Sequence, residues 1–265
     1  MQKAQTLPEL TLMTKGRYRA GLARTADETA QAQALRTLAF GTDATDRDDF
    51  DRHCVHMLIR DRTSGDLVCC FRILLFDGGG GLDRSYSAQF YELSGLKTFP
   101  GRMLEMGRFC IHPNWHDPDI LRVAWGALTV FVDEHGVGFL FGCSSFAGTR
   151  TENYLDAFAM LRAHHLAPKR WQPRIKAPDV FRFAARLRRQ PDPKKAMARM
   201  PPLLRTYLMM GGRVSDHAVV DHHMNTLHVF TGLEISAIPD ARKRLLRAVA
   251  GQGRVQAVDA PAQPV

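Results

Sequence analysis

Residues 103–111 read Met-Leu-Glu-Met-Gly-Arg-Phe-Cys-Ile, an apolar strand carrying two opposite charges, Glu105 and Arg108, and one glycine, Gly107. A second apolar run, residues 69–75 (Cys-Cys-Phe-Arg-Ile-Leu-Leu), is interrupted in the same way by Arg72. Burying an unpaired charge is costly, so charges in strand cores are either paired or gathered at a site. Two readings follow. One is a structural Arg–Glu–Arg network; the other is a functional cleft where the sheet is splayed open, with Gly107 letting backbone or ligand come close.

Working outward, residues 27–40 read as a helix, with Ala30, Ala34, Leu35 and Leu38 at helical spacing and Thr25 or Asp27 as cap. Residues 54–61 and 67–76 read as a hairpin around Ser64-Gly65, followed by the flexible glycine run 78–81. A short helix is expected at 87–93, a strand at 103–111, and an amphipathic helix at 118–135 with Pro118 in its first turn and Gly136 past its end. A strand at 137–146 and a helix at 151–165 complete a β-β-α-β-α-β-α order, an α/β fold with a mixed central sheet flanked by helices. Beyond Pro168 the chain becomes Pro- and Arg-rich, with helices expected at 181–189 and 202–210 and strands at 218–220 and 227–235. A helix end frays after Arg247. The organisation expected is one domain over 15–250, with a core at 15–165, a basic extension at 166–250 and a disordered tail at 251–265.

The 265 residues are 45% hydrophobic, enough for a sizeable core, and carry a net charge of +9. That charge is uneven. Residues 162–213 hold fourteen Lys plus Arg against Asp179 and Asp192, a local +12 that leaves −3 for the rest. Such a segment implies an anionic partner. The first fifteen residues show no secretory signal, and the best apolar stretch, 123–132, is half of the ~20 residues a membrane span needs. A cytoplasmic protein is expected, at most peripheral at the inner face of a membrane. Five cysteines (Cys54, Cys69, Cys70, Cys110, Cys143) lie in strand-like runs without metal or redox spacing and read as reduced. Eleven histidines, His53-x-x-His56 among them, stand at no diagnostic spacing from Cys or carboxylate, so no metal is expected.

Glu105-Met106-Gly107-Arg108-Phe109-Cys110-Ile111, Phe71-Arg72-Ile73-Leu74 and Asp48-x-x-Asp51 resemble the charged strand motifs of the acyl-homoserine lactone (autoinducer) synthases, relatives of the Gcn5-type acetyltransferase fold. The fit is closer to a sister family, the L-ornithine Nα-acyltransferases. Pro201-Pro202-Leu203-Leu204-Arg205-x-Tyr207-Leu208, then Gly211-Gly212, Asp216, Asp221, Asn225-Thr226 and Phe230-Thr231-Gly232-Leu233-Glu234 resemble its C-terminal signature. The resemblance spans about residues 15–245. Two departures separate the chain from the autoinducer synthases. The tryptophan after the Arg36…Phe40 pair is absent from 41–47, and the chain runs some sixty residues further. The pyrophosphate loop of CoA-dependent members is also missing, since His112-Pro113-Asn114-Trp115-His116 contains no glycine.

The resemblance implies transfer of a 3-hydroxyacyl group from acyl carrier protein to the α-amine of ornithine, giving lyso-ornithine lipid, with no cofactor. Glu105 is the candidate base. Arg72 and Arg108 would hold it or meet the acceptor's carboxylate. Asp48, Asp51, Asp216, Asp221, Asn225 and Thr226 are candidates for binding the acceptor. Arg182, Arg186, Arg188, Arg189 and Arg205 are candidates for the acidic carrier. Two alternatives stay open: an acyl-homoserine lactone synthase using carrier protein and S-adenosylmethionine, and a non-catalytic basic module for RNA or an anionic membrane. Against nucleic acid, the basic segment interleaves few aromatics, with Trp171, Phe181 and Phe183 preceding Tyr207.

Overall fold

The computed structural model describes residues 10–253. In chain order the elements are β1 (Leu10–Lys15), β2 (Tyr18–Leu22), α1 (Ala26–Phe40), β3 (Val55–Asp61), β4 (Leu67–Phe76), β5 (Tyr91–Glu92), β6 (Arg102–Ile111), α2 (Pro118–His135), β7 (Val137–Ala147), α3 (Leu155–His164), β8 (Arg174–Ile175), β9 (Val180–Phe181), α4 (Phe183–Arg186), α5 (Pro193–Arg199), α6 (Pro202–Met209), β10 (Arg213–Val214), β11 (Ala218–Asp221), β12 (Thr226–Glu234) and α7 (Asp240–Gly253). The mixed α/β class expected of the sequence is the one formed, with two strands, β1 and β2, ahead of α1. Among the described residues no helix is long and apolar enough to cross a membrane.

The elements group into two compact units. The first takes the described residues of Met1–Arg72, Arg108–Glu134 and Lys243–Val265. Its strands run in the order β1-β2-β3-β4-β6, with β1/β2 and β2/β3 antiparallel. Helix α1 begins where Thr25 caps Glu28 N–H while the Glu28 side chain returns to the Thr25 N–H, a reciprocal box of roughly 1 kcal/mol. It ends at Gly41, whose φ of 64° is left-handed. Its inner face sets Ala32 and Leu35 against Leu58, Cys70 and Cys110.

The second unit is Ile73–Gly107 with His135–Arg242, and so draws on both sides of residue 165. Its strands run β4-β6-β7-β12-β11-β9, with β10 on β12 and a separate β5-β8 pair. Strand β7 pairs antiparallel with β12 along nine positions, from Ala147↔Thr226 to Phe139↔Glu234. Pairing of β7 with β6 is parallel and short: it runs from Arg102↔Val137 to Glu105↔Phe141 and stops. The core beneath is aromatic, built from Phe76, Tyr91, Phe139, Phe141, Trp171 and Phe230.

Four expectations change. Residues 87–93 form a single 3-10 turn, Ser87–Gln89, before β5, because Tyr91 and Glu92 pair with β8. The helix expected at 181–189 shrinks to α4: Phe181 joins the sheet opposite Ala218, and Leu187 is extended. A helix missed in the sequence, α5, follows, with Pro193 in its first turn and the Asp192 carboxylate capping Lys194 and Lys195 N–H. The final helix begins at Asp240 and includes residues 251–253; residues 254–265 of the expected tail lie outside the described residues.

Candidate active site

In the first unit, three arginines and three aspartates close into one buried network. Arg36, 1% exposed on α1, grips Asp51 with two hydrogen bonds, Nη1 to Oδ1 at 2.7 Å and Nη2 to Oδ2 at 2.9 Å. Its Nη2 also donates to the Asp46 carbonyl. Its Nε lies 3.2 Å from Asp46 Oδ2, close enough for an ion pair though not aligned for a hydrogen bond. Arg72 Nη1 donates to Asp48 Oδ1 at 2.5 Å and to Asp51 Oδ1 at 3.0 Å, while its Nη2 reaches Asp48 Oδ2 at 2.9 Å. Arg108 lies 3.1 Å from Asp46 Oδ2 and 3.4 Å from Asp48 Oδ2. Bidentate, charge-assisted geometry of this kind is the strong form of the ion pair. Burial alone would raise the Asp51 carboxyl, but the Arg36 guanidinium overrides it and holds the group well below the usual carboxylate range. Burial likewise lowers and Asp48 then raises Arg72, which ends above its ordinary value.

The sequence candidates Arg72, Arg108, Asp48 and Asp51 are thus brought together, joined by Arg36, named in the sequence only as half of the Arg36…Phe40 pair, and by Asp46, which was not named. Asp48 is the most open of the aspartates, its side chain 25% exposed. Arg108 sits at φ 52°, a left-handed conformation that non-glycine residues rarely adopt. Strain of this sort, of order 1–3 kcal/mol, collects at functional sites.

In the second unit, Glu105 stands at the last pair of the β6/β7 ladder. Its carboxylate accepts three hydrogen bonds: Tyr86 N–H at 2.8 Å, Ser87 N–H at 2.7 Å and Ser87 Oγ–H at 2.6 Å. Ser87 Oγ also lies 3.5 Å from Cys143 Sγ on β7. Beyond Glu105 the two strands part. At the point of parting Gly142 approaches Met106 so closely that a Cβ there would meet the Met106 carbonyl oxygen at 2.3 Å. The β7 face past this point is partly open, with Cys143 half-buried and Ser145 exposed. An extended chain bearing amides can lie along strand backbone there.

Facing this end, β12 carries His228 opposite Ser145 and Phe230 opposite Cys143. Tyr91 packs edge-on to both and donates its hydroxyl to the His228 carbonyl at 2.8 Å. Neither His228 nor Tyr91 was singled out in the sequence. The signal was available: His228 is a polar residue in an apolar strand, on the face shared with Phe230.

The acceptor candidates at the C-terminal end form a hairpin. Asp221 Oδ1 accepts from Met224 N–H at 3.0 Å, Asn225 sits at φ 49° and its carbonyl receives Gly148 N–H at 2.8 Å, and Thr226 opens β12. Asp216 pairs with His217 Nδ1 at 2.7 Å. Of the carrier candidates, Arg182, Arg186, Arg188 and Arg189 are exposed around α4, and Arg205 is half-buried on α6. Arg189 is held by Asp156 at 2.7 Å. With Lys195 and Arg199 of α5 it lines a cavity of about 350 Å³ that also contains Glu152 and Asp156.

The loop before α2 is closed upon itself. Asp117 Oδ1 accepts the Asp119 N–H at 2.8 Å and its Oδ2 accepts the Tyr18 hydroxyl at 2.7 Å, while Pro118 has no N–H to offer. Trp115 is covered by the Arg17 guanidinium, 4.7 Å from its ring centre. This helix N-terminus therefore holds a carboxylate of its own.

Comparison with known proteins agrees with this architecture. The family profile for an acetyltransferase (GNAT) domain matches residues 30–126. The L-ornithine N(alpha)-acyltransferase of Rhodobacter capsulatus is 30% identical over 254 residues, 89% of this chain and 97% of that protein. The protein of that name from Rhizobium meliloti is 32% identical over 238 residues, 82% of this chain and 80% of its own. A solved CoA-dependent acyl-homoserine lactone synthase aligns with a TM-score of 0.47 at 11% identity, covering 91% of this chain and 89% of that one. Identity of this level sustained along nearly the whole of both chains places this protein in the L-ornithine N(alpha)-acyltransferase family, an acyltransferase built on the GNAT domain.

Proposed function

We propose that the protein transfers a 3-hydroxyacyl group from its thioester on acyl carrier protein to the α-amine of L-ornithine, giving lyso-ornithine lipid. The observation that carries the transfer chemistry is the early end of the β6/β7 ladder at Glu105↔Phe141. Past it, where β6 and β7 part, the amide-bearing arm of a thioester would lie along the strand backbone with its carbonyl beside Ser87 and Cys143. Glu105 fixes this place by anchoring the Tyr86–Ser87 backbone. The acceptor's identity is drawn from the relatives' name.

The choice of donor is supported by the α2 N-terminus. A CoA pyrophosphate needs free N–H groups at such a helix start. Here Asp117 takes the Asp119 N–H and adds a negative charge, which disfavours a second anion. A carrier protein requires no such site, and the +12 of residues 162–213 suits its acidic surface. We assign Arg186, Arg188 and the neighbouring cations of α5 to that contact. The network of Arg36, Arg72 and Arg108 with its three aspartates holds strand and loop in place, and Asp48 and Arg108 are its members most open to an amino acid's ammonium and carboxylate. Product formation near a membrane would bring the cationic segment to the inner face.

The test is incubation with 3-hydroxyacyl carrier protein or the matching acyl-CoA, a panel of amines (ornithine, lysine, S-adenosylmethionine), and mass detection of products. Nα-acyl-ornithine formed chiefly from the carrier thioester is expected. Equal kcat/KM for the two donors would overturn the donor, and a preference for another amine would overturn the acceptor.

A further inference from the structure

His228 is a buried imidazole that the reading above does not use. It is 2% exposed and stands on β12 directly across from Ser145, the exposed residue of the open β7 face. Opposed residues of an antiparallel pair share a face, with Cβ atoms about 4.5–5.5 Å apart. The same face carries Cys143 and Phe230, and Cys143 is tied through Ser87 Oγ to Glu105. The ring therefore lies beside the place where the thioester carbonyl is proposed to sit.

Its hydrogen bonds favour Nε2 as the basic nitrogen. The Tyr91 hydroxyl donates to the His228 carbonyl oxygen at 2.8 Å and lies 3.1 Å from His228 Nδ1. A hydroxyl has one proton. Spent on the carbonyl, it leaves Nδ1 to be the donor in the second contact, so Nδ1 bears the hydrogen and Nε2 keeps its lone pair. That Nε2 is buried and has no hydrogen-bond partner among the described residues. A buried acceptor left unmatched costs about 1–3 kcal/mol, and such groups recur where a substrate supplies the missing donor. In an N-acyl transfer the substrate brings a nitrogen-bound hydrogen.

We propose that His228 Nε2 takes the proton from the acceptor amine, with Tyr91 as the positioning residue that sets its tautomer. The inference rests on the acyl-transfer reading. As the amine's electron pair forms the new C–N bond, the attacking nitrogen becomes cationic and its N–H bond breaks toward Nε2. Collapse of the tetrahedral intermediate breaks the C–S bond, and the proton passes from Nε2 to the departing sulfur, which leaves as the thiol. Charged and titratable neighbours that face the ring are few. Asp221 on β11 favours its protonated form and His217 disfavours it, while burial, the larger effect, keeps the ring neutral before reaction, with its pKa brought down to about 4. His217, itself paired with Asp216, packs against the Tyr91 ring with 5.3 Å between ring centres.

The test compares wild type with His228→Gln, which keeps an acceptor oxygen near Nε2 but no basicity, and with His228→Ala, using carrier thioester and ornithine at saturation. The expected result is a kcat loss of roughly 10²–10⁴-fold with KM for both substrates within about threefold, and partial recovery of His228→Ala by added imidazole. Folded variants with kcat within threefold of wild type would overturn the assignment. Should both variants fail to fold, ¹⁵N NMR of histidine-labelled wild type decides it: an Nδ1–H tautomer is required, and an Nε2–H tautomer overturns it. A wild type that acylates no amine would overturn the transfer reading and His228's role together; an active wild type with active variants overturns the latter alone.

Discussion

Arg36 shows what a single residue can hide. In the sequence it is half of the Arg36…Phe40 pair with no role attached, yet it is 1% exposed and held by Asp46 and Asp51. Breaking such a pair from one side leaves a buried charge uncompensated, at a cost of roughly 3–5 kcal/mol. Arg36→Met should therefore lower the free energy of unfolding by that measure in thermal or urea unfolding, and Arg36→Met with Asp51→Leu should recover part of it. A single variant as stable as wild type would remove the network from the fold's support. Glu105 is the companion case. Its three donors all point at carboxylate oxygens, and Glu105→Gln would set an NH₂ against N–H donors. We expect a loss of about 1–3 kcal/mol together with a fall in turnover as the Tyr86–Ser87 turn shifts. Near-wild-type kcat at saturating ornithine would take Glu105 out of the mechanism at any stability.

At the scale of elements, the parting of β6 and β7 depends on one close approach. Gly142→Ala places a methyl 2.3 Å from the Met106 carbonyl oxygen, which is backbone and cannot swing aside. Overpacking of this kind costs typically 1–3 kcal/mol, and the KM for carrier thioester should rise more than that for ornithine. An unchanged donor KM would mean that the arm lies elsewhere. The basic surface around α4 and α5 is a separate element-level device. Among the described residues no ion pair holds exposed Arg186 or Arg188, whereas Asp156 holds Arg189, so reversing these two probes the partner rather than the fold. The double reversal should raise the carrier KM about tenfold at low salt and flatten the dependence of rate on ionic strength, because steering is screened beyond about 8–10 Å. Wild-type KM and salt slope in the variant would move the docking surface.

For the whole molecule, the shifted groups set its response to acid. Burial pushes His56 and His228 below the usual imidazole range, His228 to about 4. Each folded value lies beneath its unfolded value of about 6.5, so the unfolded chain binds more protons below that pH, and stability must fall as pH drops. For His228 the loss grows between pH about 6.5 and 4 and amounts to roughly 3 kcal/mol when complete. Asp51, whose carboxyl also ends below its unfolded value despite the opposing effect of burial, adds its loss only as pH falls below about 4. Urea midpoints should be flat near pH 7 to 8 and decline from pH 6.5 downward, with His228→Gln removing part of the decline. A midpoint constant from pH 7 to 4.5 would contradict the neutral, buried state of these rings.

The sequence by itself determined the α/β class, the strands 67–76 and 103–111, the helix of α1 with Thr25 or Asp27 as its cap, and the charges Arg72, Glu105 and Arg108 that interrupt those strands. Each of these is a local signal: an apolar run, a period, or a charge where none should be. It also determined the basic segment, since charge is counted without folding. Only the tertiary structure decided which charge meets which. Arg72 and Arg108 are matched to Asp46 and Asp48, and Glu105 to the backbone of residues 86–87, pairings 18 to 62 positions apart in the chain. Two-residue strands such as β5 and β8 were likewise illegible, because their formation lies in the partner rather than in the run. His228 was visible as a letter, but its basic nitrogen was not. The proposed tautomer rests on contacts with a tyrosine 137 residues away, and hydrogen bonds at that separation exist only once the chain has closed on itself.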